Sequence, residues 1–458
     1  MAMGTKRAPL PLWIDSESVV KGPGHPFYRK LNSILDFHGF DRFVEDHCRK
    51  YYKPGGRPSL PPSVYFRLSI VGYFEGIGSE RAIAWKLADS ITLRDFVGLP
   101  ITVRTPDHST ISRTRRLISL ETHQEIFDWV LKILAKSKLL RAKILGVDGT
   151  TLEANAAMRS IVQRVDELPY LEFLKGLAAA AGIAKPTRED LARIDRKREK
   201  KGSNQDWKHP HDPDAKITKM KDGRTHLAHK AEHAVDMETG AVVAVTVQPA
   251  DRGDTESLEH TLEKAADSLG AIVDDPEAAA ELSDELMREL VADKGYHSNA
   301  VLTAQAEAGI RTYISEPNRG RRNWRGKPEA QAAVYANRRR IRGDRGKGLL
   351  RSRGEKVERQ FAHGFETGGL RRVHLRGHSN IEKRLLVHYA GFNLGLLMRQ
   401  LVGVGTPRGL QGRSLAALWA LFVFSWLSGR LQRVSEPIRT SARAIFGVPS
   451  QSVALAAI

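Results

Sequence analysis

Two aspartates could do chemistry together. Asp148 closes the apolar run Ile144-Leu-Gly-Val, Asp293 closes 286–292, and each is followed within two residues by a glycine, Gly149 or Gly295. Glycine there lets a ligand approach the backbone closely, and the ends of strands are where α/β sheets place chemistry. A third acid near the same edge would complete a site for Mg²⁺, which takes oxygen ligands and keeps waters that a phosphate can share. Two such ions can activate a nucleophile and stabilise the leaving oxygen of an in-line phosphoryl displacement. Taken alone, a strand-end aspartate ahead of glycine is also an ordinary turn former.

Three glutamates compete for the third place: Glu355, Glu358 and Glu366. On a helix, Val357, Phe361 and Phe365 form the apolar face expected to rest on the sheet. Glu358 falls about 60° from its centre, whereas Glu355 and Glu366 fall more than about 100° away. Glu358 is therefore the one expected to reach the sheet edge, with Arg359 beside it free to contact a phosphate or simply to face solvent.

The elements that must position these acids follow from pattern. Residues 1–135 read as short helices. Pro61 and Pro62 open a stretch with Val64, Leu68 and Val71 at helical spacing, Ser79 caps a second helix, and Thr92 and Gly98 bracket a third. Asp107 or Ser109 then caps a helix expected to expose Thr110, Arg113, Arg115 and Arg116. This suits helix-turn-helix DNA binding, or an ordinary helical domain with a solvated basic helix. Beyond 142 come a strand into Asp148, a charged helix (188–201), a hairpin (227–236 and 241–247), a helix (255–269), a strand into Asp293, a helix and a strand over 311–315. A helix near 355–366 and a long apolar one over 381–401 close the series. Such an order predicts an α/β fold, a mixed sheet flanked by helices. The expected division is a helical N-terminal DNA-binding domain (1–135), a catalytic domain (136–400) with insertions at about 155–215 and 318–353, and a C-terminal helical region (401–458).

Charge narrows the partner. The 458 residues carry 72 Lys+Arg against 53 Asp+Glu, a formal charge of +19. With 41% hydrophobic and 27% charged residues, that excess belongs to folded surfaces rather than to a disordered tail. The single Cys48 closes no internal disulfide. The start of the chain, running into Pro9, Pro11 and Trp13, lacks the apolar core of a signal peptide, and the apolar run 415–427 is too short to cross a bilayer. A cytoplasmic protein that binds nucleic acid is expected, with an anionic membrane or an acidic protein as second choices. Thirteen Lys/Arg against Glu329 and Asp344 give 318–353 a net +11, more than half of the excess. Beside carboxylates that repel phosphate, such a block can position a DNA backbone, and binding should weaken steeply with salt.

Other residues invite weaker readings. His226, His229 and His233 are spaced as on one helix face, with His209 and His211 upstream. Yet 227–236 fits a strand, and no cysteine is near to complete a zinc set. His229 and Lys230 are expected to approach DNA or the active site. Asp212, Asp214, Asp236 and Asp254 read as turn caps or solvated acids, with a fourth metal ligand as the alternative. Trp324 among the arginines can stack on an unpaired base or pack locally.

In their order, Val147-Asp148-Gly-Thr, Ala292-Asp293-Lys-Gly-Tyr296 and Val357-Glu358-Arg-Gln-Phe361 resemble the three acidic motifs of bacterial insertion-sequence DDE transposases. The resemblance covers most of the chain. The stretch from Ser79 to Arg113 is similar to the family's helical N-terminal domain, His233-Ala-Val-Asp with Thr239-Gly-Ala-Val-Val to its central hairpin, and the stretch from Arg371 to Asn393-Leu to its C-terminal helices. It implies an RNase H-like catalytic fold in which Asp148, Asp293 and Glu358 bind two Mg²⁺ or Mn²⁺. It further implies recognition of terminal inverted repeats, hydrolysis at the element's ends and strand transfer into double-stranded target DNA. A homodimer in the DNA complex and a bacterial cytoplasmic location, at the nucleoid when bound, follow. The DNA contacts expected are Arg113, Arg116, Arg321, Arg322, Trp324, Arg325, Arg338, Arg339, Arg340, Arg351, Arg353, Arg359, Arg371 and Arg372. One departure stands out. Related families place a tyrosine and an arginine before the glutamate and a lysine after it, whereas here Gly354 lies four residues before Glu358 and Phe365 seven after, with Arg351, Arg353 and His363 as substitutes. The competing readings are a DNA-binding protein descended from such an enzyme without catalysis, and a nuclease that cleaves without strand transfer.

Overall fold

The computed structural model describes residues 24–410 except 54, 56–58, 199–201, 221, 222 and 321. The expected helical region beyond 410, with the apolar run 415–427, lies outside the described residues, as does Arg321.

Seven helices come first: α1 (Pro26–Phe37), α2 (Phe40–Cys48), α3 (Pro62–Glu75), α4 (Glu80–Ala88), α5 (Ile91–Phe96), α6 (His108–Leu117) and α7 (Leu120–Lys136). Their boundaries are written locally. Pro62 occupies the first turn of α3, where its missing N–H costs nothing, and Gly76 ends that helix at φ +68°. Ser79, Ser90, Asp107 and Ser119 each accept a backbone N–H three residues on, so one polar cap starts each of the next four helices. The cap of α6 is thus Asp107, with Ser109 hydrogen-bonded to it.

α3 is buried from Ser63 to Phe74, including a charge at its centre. The Arg67 guanidinium meets Asp41 at 2.7 Å, Asp36 at 2.9 Å, the carbonyl of Phe96 at 3.0 Å and Asn32, between the rings of Phe40 and Phe96. One side chain therefore ties α1, α2, α3 and α5 together.

The second half runs β1 (Ile144–Glu153), β2 (Val162–Gln163), α8 (Tyr170–Ala180), α9 (Arg188–Lys197), β3 (Trp207–Lys208), β4 (Lys216–Lys219), β5 (Thr225–Asp236), β6 (Val242–Pro249), α10 (Asp254–Val273), α11 (Pro276–Ala279), β7 (Glu289–Ala292), α12 (Asn299–Glu307), β8 (Arg311–Ile314), α13 (Pro328–Arg342), α14 (Asp344–Ala362) and α15 (His378–Val402). β1 is antiparallel to β5 and parallel to β7; β5 pairs antiparallel with β6, and β7 parallel with β8. The spatial order is β6-β5-β1-β7-β8, with β4 pairing the start of β5 beyond the end of β6. This mixed sheet with helices on it is consistent with an RNase H-like fold. Residues 155–215 carry β2, α8, α9 and β3, packed in part on a small core of Ile161, Trp207 and Ala215.

Both outer strands are closed by an asparagine. Asn393 of α15 takes the N–H and carbonyl of Val242 in β6 at 3.0 and 2.8 Å, and Asn337 of α13 does the same for Ile314 in β8. Two edge positions open to stray pairing are thereby satisfied. α15 is buried nearly all round between Ile381 and Met398. It packs on α3, α7 and β6 together, so the N-terminal helices and the sheet share one core.

Much of the basic block is helical. Residues 328–342 are α13, and α14 starts at Asp344, well before the expected 355, continuing through Gly348 and Gly354. Gly346 is required there, because a Cβ would run into the carbonyl of Arg340 at the α13–α14 turn. The helix ends in a wide turn over His363–Thr367.

Two outcomes follow. Arg67→Ala should lower unfolding stability in urea by about 3 kcal/mol, the low end for breaking a buried ion pair, because Asp36 and Asp41 stay half in water. Burial raises Glu382 on α15 to about 7. Its carboxyl stays protonated in the fold where the unfolded chain ionises, so stability falls as pH rises from about 4.5 to about 7. Glu382→Gln should therefore raise the melting temperature by about 2 °C at pH 8 and leave it unchanged at pH 4.

Candidate active site

The sheet register does the first half of the assembly. β1 and β7 pair in parallel up to Val147 opposite Ala292, so the next residues out, Asp148 and Asp293, emerge side by side on strands about 4.8 Å apart. Asp293 caps a short turn, Lys294–Tyr296, accepting the Gly295 N–H at 2.7 Å. Asp148 accepts the Gly149 N–H at 2.9 Å and an Arg353 Nη1–H at 2.8 Å. Burial raises the Asp148 pKa and the Asp293 charge adds to that, while Arg353 and the Gly149 N–H oppose it.

α14 supplies the second half. Its packing depends on Gly146, where a Cβ would stand 3.0 Å from Val357 Cγ2, and on His233, opposite Asp148 across β5. His233 is fully buried and its pKa is depressed to about 3 by that burial, so it is neutral, and its Nδ1–H donates to Gln360 at 2.8 Å. Val357 and Gln360 are buried, while Phe361 and Phe365 are only half so and stack on each other; the inward face is rotated from the expected 357–361–365 toward Gln360. Neither Gly146 nor the His233–Gln360 pair was singled out by sequence. A glycine two residues before Asp148 in an apolar strand was the available signal.

The three glutamates separate by partner. Glu355 is paired with Arg359 at 2.7 Å and Glu366 with Arg371. Glu358 is exposed, makes no hydrogen bond or ion pair among the described residues, and has its Oε1 lying over Gly354, 3.8 Å from where a Cβ would stand. Helical side chains lean toward the N-terminus, so Glu358 leans toward the turn in which Arg353 meets Asp148. The donors are all carboxylate oxygens, which suit Mg²⁺ or Mn²⁺. They are not gathered into a cage: among the described residues no group of three His, Cys, Asp or Glu side chains stands close enough to hold an ion.

Other expected residues sort by what they touch. Arg322 and Arg338 both grip Glu316, at 3.0 and 2.5 Å, and these contacts hold its carboxyl near 2. Arg340 binds the Thr312 carbonyl at 2.9 Å, and Trp324 packs on Arg322 and Tyr335. These four tie α13 and the preceding loop to β8. Arg325, Arg339, Arg351, Arg372, Arg113 and Arg116 are exposed, as are Arg359 and Arg371 in their pairs. Arg115, expected on the open face of α6, is buried against Glu80. His229 is buried against Asp212 at 3.2 Å and His378, away from any DNA approach, because the insertion folds over it. Lys230 is buried too, bonded to Asp254 at 2.6 Å. Asp236 caps the start of β1 and its own hairpin through Arg141, Ala142, Glu238 and Thr239.

Two family models match the chain. A Transposase DDE domain covers residues 204–394, from just before β3 through most of α15, and a Transposase domain (DUF772) covers 15–117, reaching the end of α6. Together they take in well over half of the sequence. The chain belongs to the DDE transposases. It is therefore a metal-dependent phosphoryl-transfer enzyme of DNA transposition, and DNA is what such transposases act on. Comparison with curated proteins and with solved structures gave no match. The DDE match spans the positions of Asp293 and Glu358 and begins after Asp148, which the β1–β7 register sets beside Asp293. Among the described residues no helix is long and apolar enough to cross a membrane.

Arg353→Ala should push the Asp148 pKa higher still, since the cation that opposes burial is gone. A cleavage rate that depends on ionised Asp148 would then have its acid limb displaced to higher pH, read from a pH–rate profile on DNA.

Proposed function

We propose that the chain is an insertion-sequence transposase that binds terminal inverted repeats, hydrolyses the phosphodiester at the element's ends and joins the freed 3′-hydroxyl to target DNA, with Asp148, Asp293 and Glu358 as the metal-holding triad. The observation that carries this reading is the parallel register that sets two strand-end aspartates side by side beneath α14, whose Glu358, alone of the three glutamates, has no hydrogen-bond or ion-pair partner among the described residues. Two Mg²⁺ or Mn²⁺ ions would supply the activated nucleophile and stabilise the leaving oxygen.

The chain's own residues orient and neutralise. Arg353 holds Asp148 in the DNA-free protein and passes to a phosphate oxygen as the backbone enters, leaving Asp148 to its ion, while Glu358 closes on the two aspartates. The exposed Arg325, Arg339 and Arg351 lie before and along α14 and would follow the backbone of the cut strand; Arg113 and Arg116 on α6 would grip the repeat. Residues up to about 135 then serve recognition and the sheet serves cutting. Synapsis of two ends makes the working form a dimer. A DNA-binding descendant without catalysis is the alternative, and intact acids at all three motifs favour the enzyme.

The test incubates wild type and Asp148→Ala, Asp293→Ala and Glu358→Ala with terminal-repeat DNA and Mg²⁺. Each variant should lose cleavage by about 10²–10⁴-fold, the several kcal/mol contributed by an oriented cation, while Glu355→Ala stays near wild type. Cleavage by all three at the wild-type rate refutes the triad, and loss in Glu355→Ala alone moves the third ligand by most of a helical turn.

A further inference from the structure

The two glycines beside the aspartates are kept small by the protein itself, not by room left for a ligand. Gly149 faces the α10 side of the sheet opposite Glu232, and a Cβ there would stand 3.0 Å from Lys230 Cε and 3.4 Å from Tyr296 Oη. At Gly295 a Cβ would run into Asp254 Oδ2, with Asp293 Oδ1 2.9 Å away. Lys230, Tyr296 and Asp254 belong to one polar network.

At its centre is Glu232, with no exposed surface, in the middle of β5. One carboxylate oxygen accepts from Tyr296 Oη at 2.7 Å and Ser257 Oγ at 2.6 Å; the other accepts from Thr261 Oγ1 at 2.6 Å. Lys230 lies 3.5 Å from the same carboxylate and donates to Asp254 at 2.6 Å and Ser257 at 2.7 Å. Tyr296 closes the Asp-Lys-Gly-Tyr turn that begins at Asp293, and its hydroxyl is held protonated by burial and by the Glu232, Asp254 and Asp148 charges, so it donates. One cation thus serves two acids, Asp254 half-exposed and Glu232 fully buried, and burying Glu232 is tolerable because both its oxygens are bonded.

We infer that Lys230 and Tyr296 are positioning residues that brace the main chains carrying Asp148 and Asp293 against each other, Lys230 by filling the space under Gly149 and pairing with Asp254 under Gly295, Tyr296 by anchoring the Asp293 turn to β5 through Glu232. The β1–β7 ladder ends one residue short of both aspartates, so the brace adds support to the register at the residues just beyond it. Neither residue touches DNA: both are more than nine-tenths buried and face away from α14. The assignment rests on the proposed roles of Asp148 and Asp293.

The experiment uses full-length Lys230→Met and Tyr296→Phe, each close to the native volume, with Asp148→Ala as control. Mn²⁺ binding to the DNA-free protein is read by electron paramagnetic resonance, alongside melting temperature and the kcat and KM for repeat DNA. Groups that orient ligands from behind cost 10–100-fold in metal affinity when lost. Lys230→Met should bind Mn²⁺ at least about tenfold more weakly and lose kcat in proportion, with the DNA KM within about twofold of wild type; Tyr296→Phe should do so by about threefold. Tyr296→Phe removes one hydroxyl and decides the matter if Lys230→Met does not fold. Unaltered Mn²⁺ binding and kcat in the folded variants, or a fall in melting temperature alone, overturn the brace. If Asp148→Ala binds Mn²⁺ as wild type does, it is the triad that fails.

Discussion

Two like charges set side by side repel, and much of this fold exists to keep them there. Asp148 and Asp293 leave adjacent parallel strands at the same level, where water is partly excluded and burial already raises Asp148. Left alone, that pair would drift apart or take up a proton. On one face of the sheet the structure answers with Arg353, a cation that can be given up. On the other it answers with a buried network bonded atom for atom. The exchangeable charge lies on the α14 side of the sheet and the fixed charge on the α10 side, an arrangement that would suit a site receiving a polyanion without losing its shape.

The family assignment and the geometry strengthen each other because they cover different parts of the chain. The DDE domain match spans the positions of Asp293 and Glu358, and the sheet register sets Asp148 beside Asp293. Basic residues divide in the same way. Arg322, Arg338 and Arg340 are spent tying α13 and the loop before it to β8 and to Glu316 just beyond it, so the large positive charge of 318–353 is partly scaffold. What remains open along α13 and α14 is a narrower track of arginines than the composition implied.

Elements marked by local chemistry were legible in the sequence. Pro62, Ser79 and Asp107 start helices because a proline ring or a single side-chain oxygen decides the matter within one turn, and the apolar runs into Asp148 and Asp293 had to be strands of a buried sheet. Residues whose roles depend on distant partners were not. Arg115 reads as a surface arginine until Glu80 is brought to it, and His229 as a residue near DNA or the active site until Asp212 and His378 are packed on it. Gly149 and Gly295 were noticed for the right reason, close approach, with the wrong occupant. Sequence shows that something comes near a glycine; only the fold says what.

α15 carries a consequence of another kind. Because it is enclosed on one side by α3 and α7 and on another by β6, to which Asn393 pins it, the helices at the front of the chain and the sheet that holds the acids are parts of one rigid body. If α6 grips DNA and Asp148 cuts it, as proposed, the grip would set a fixed offset, in base pairs, to the bond cut. The protein would then act as a calliper, with the distance from hold to cut written in the length and packing of a single helix.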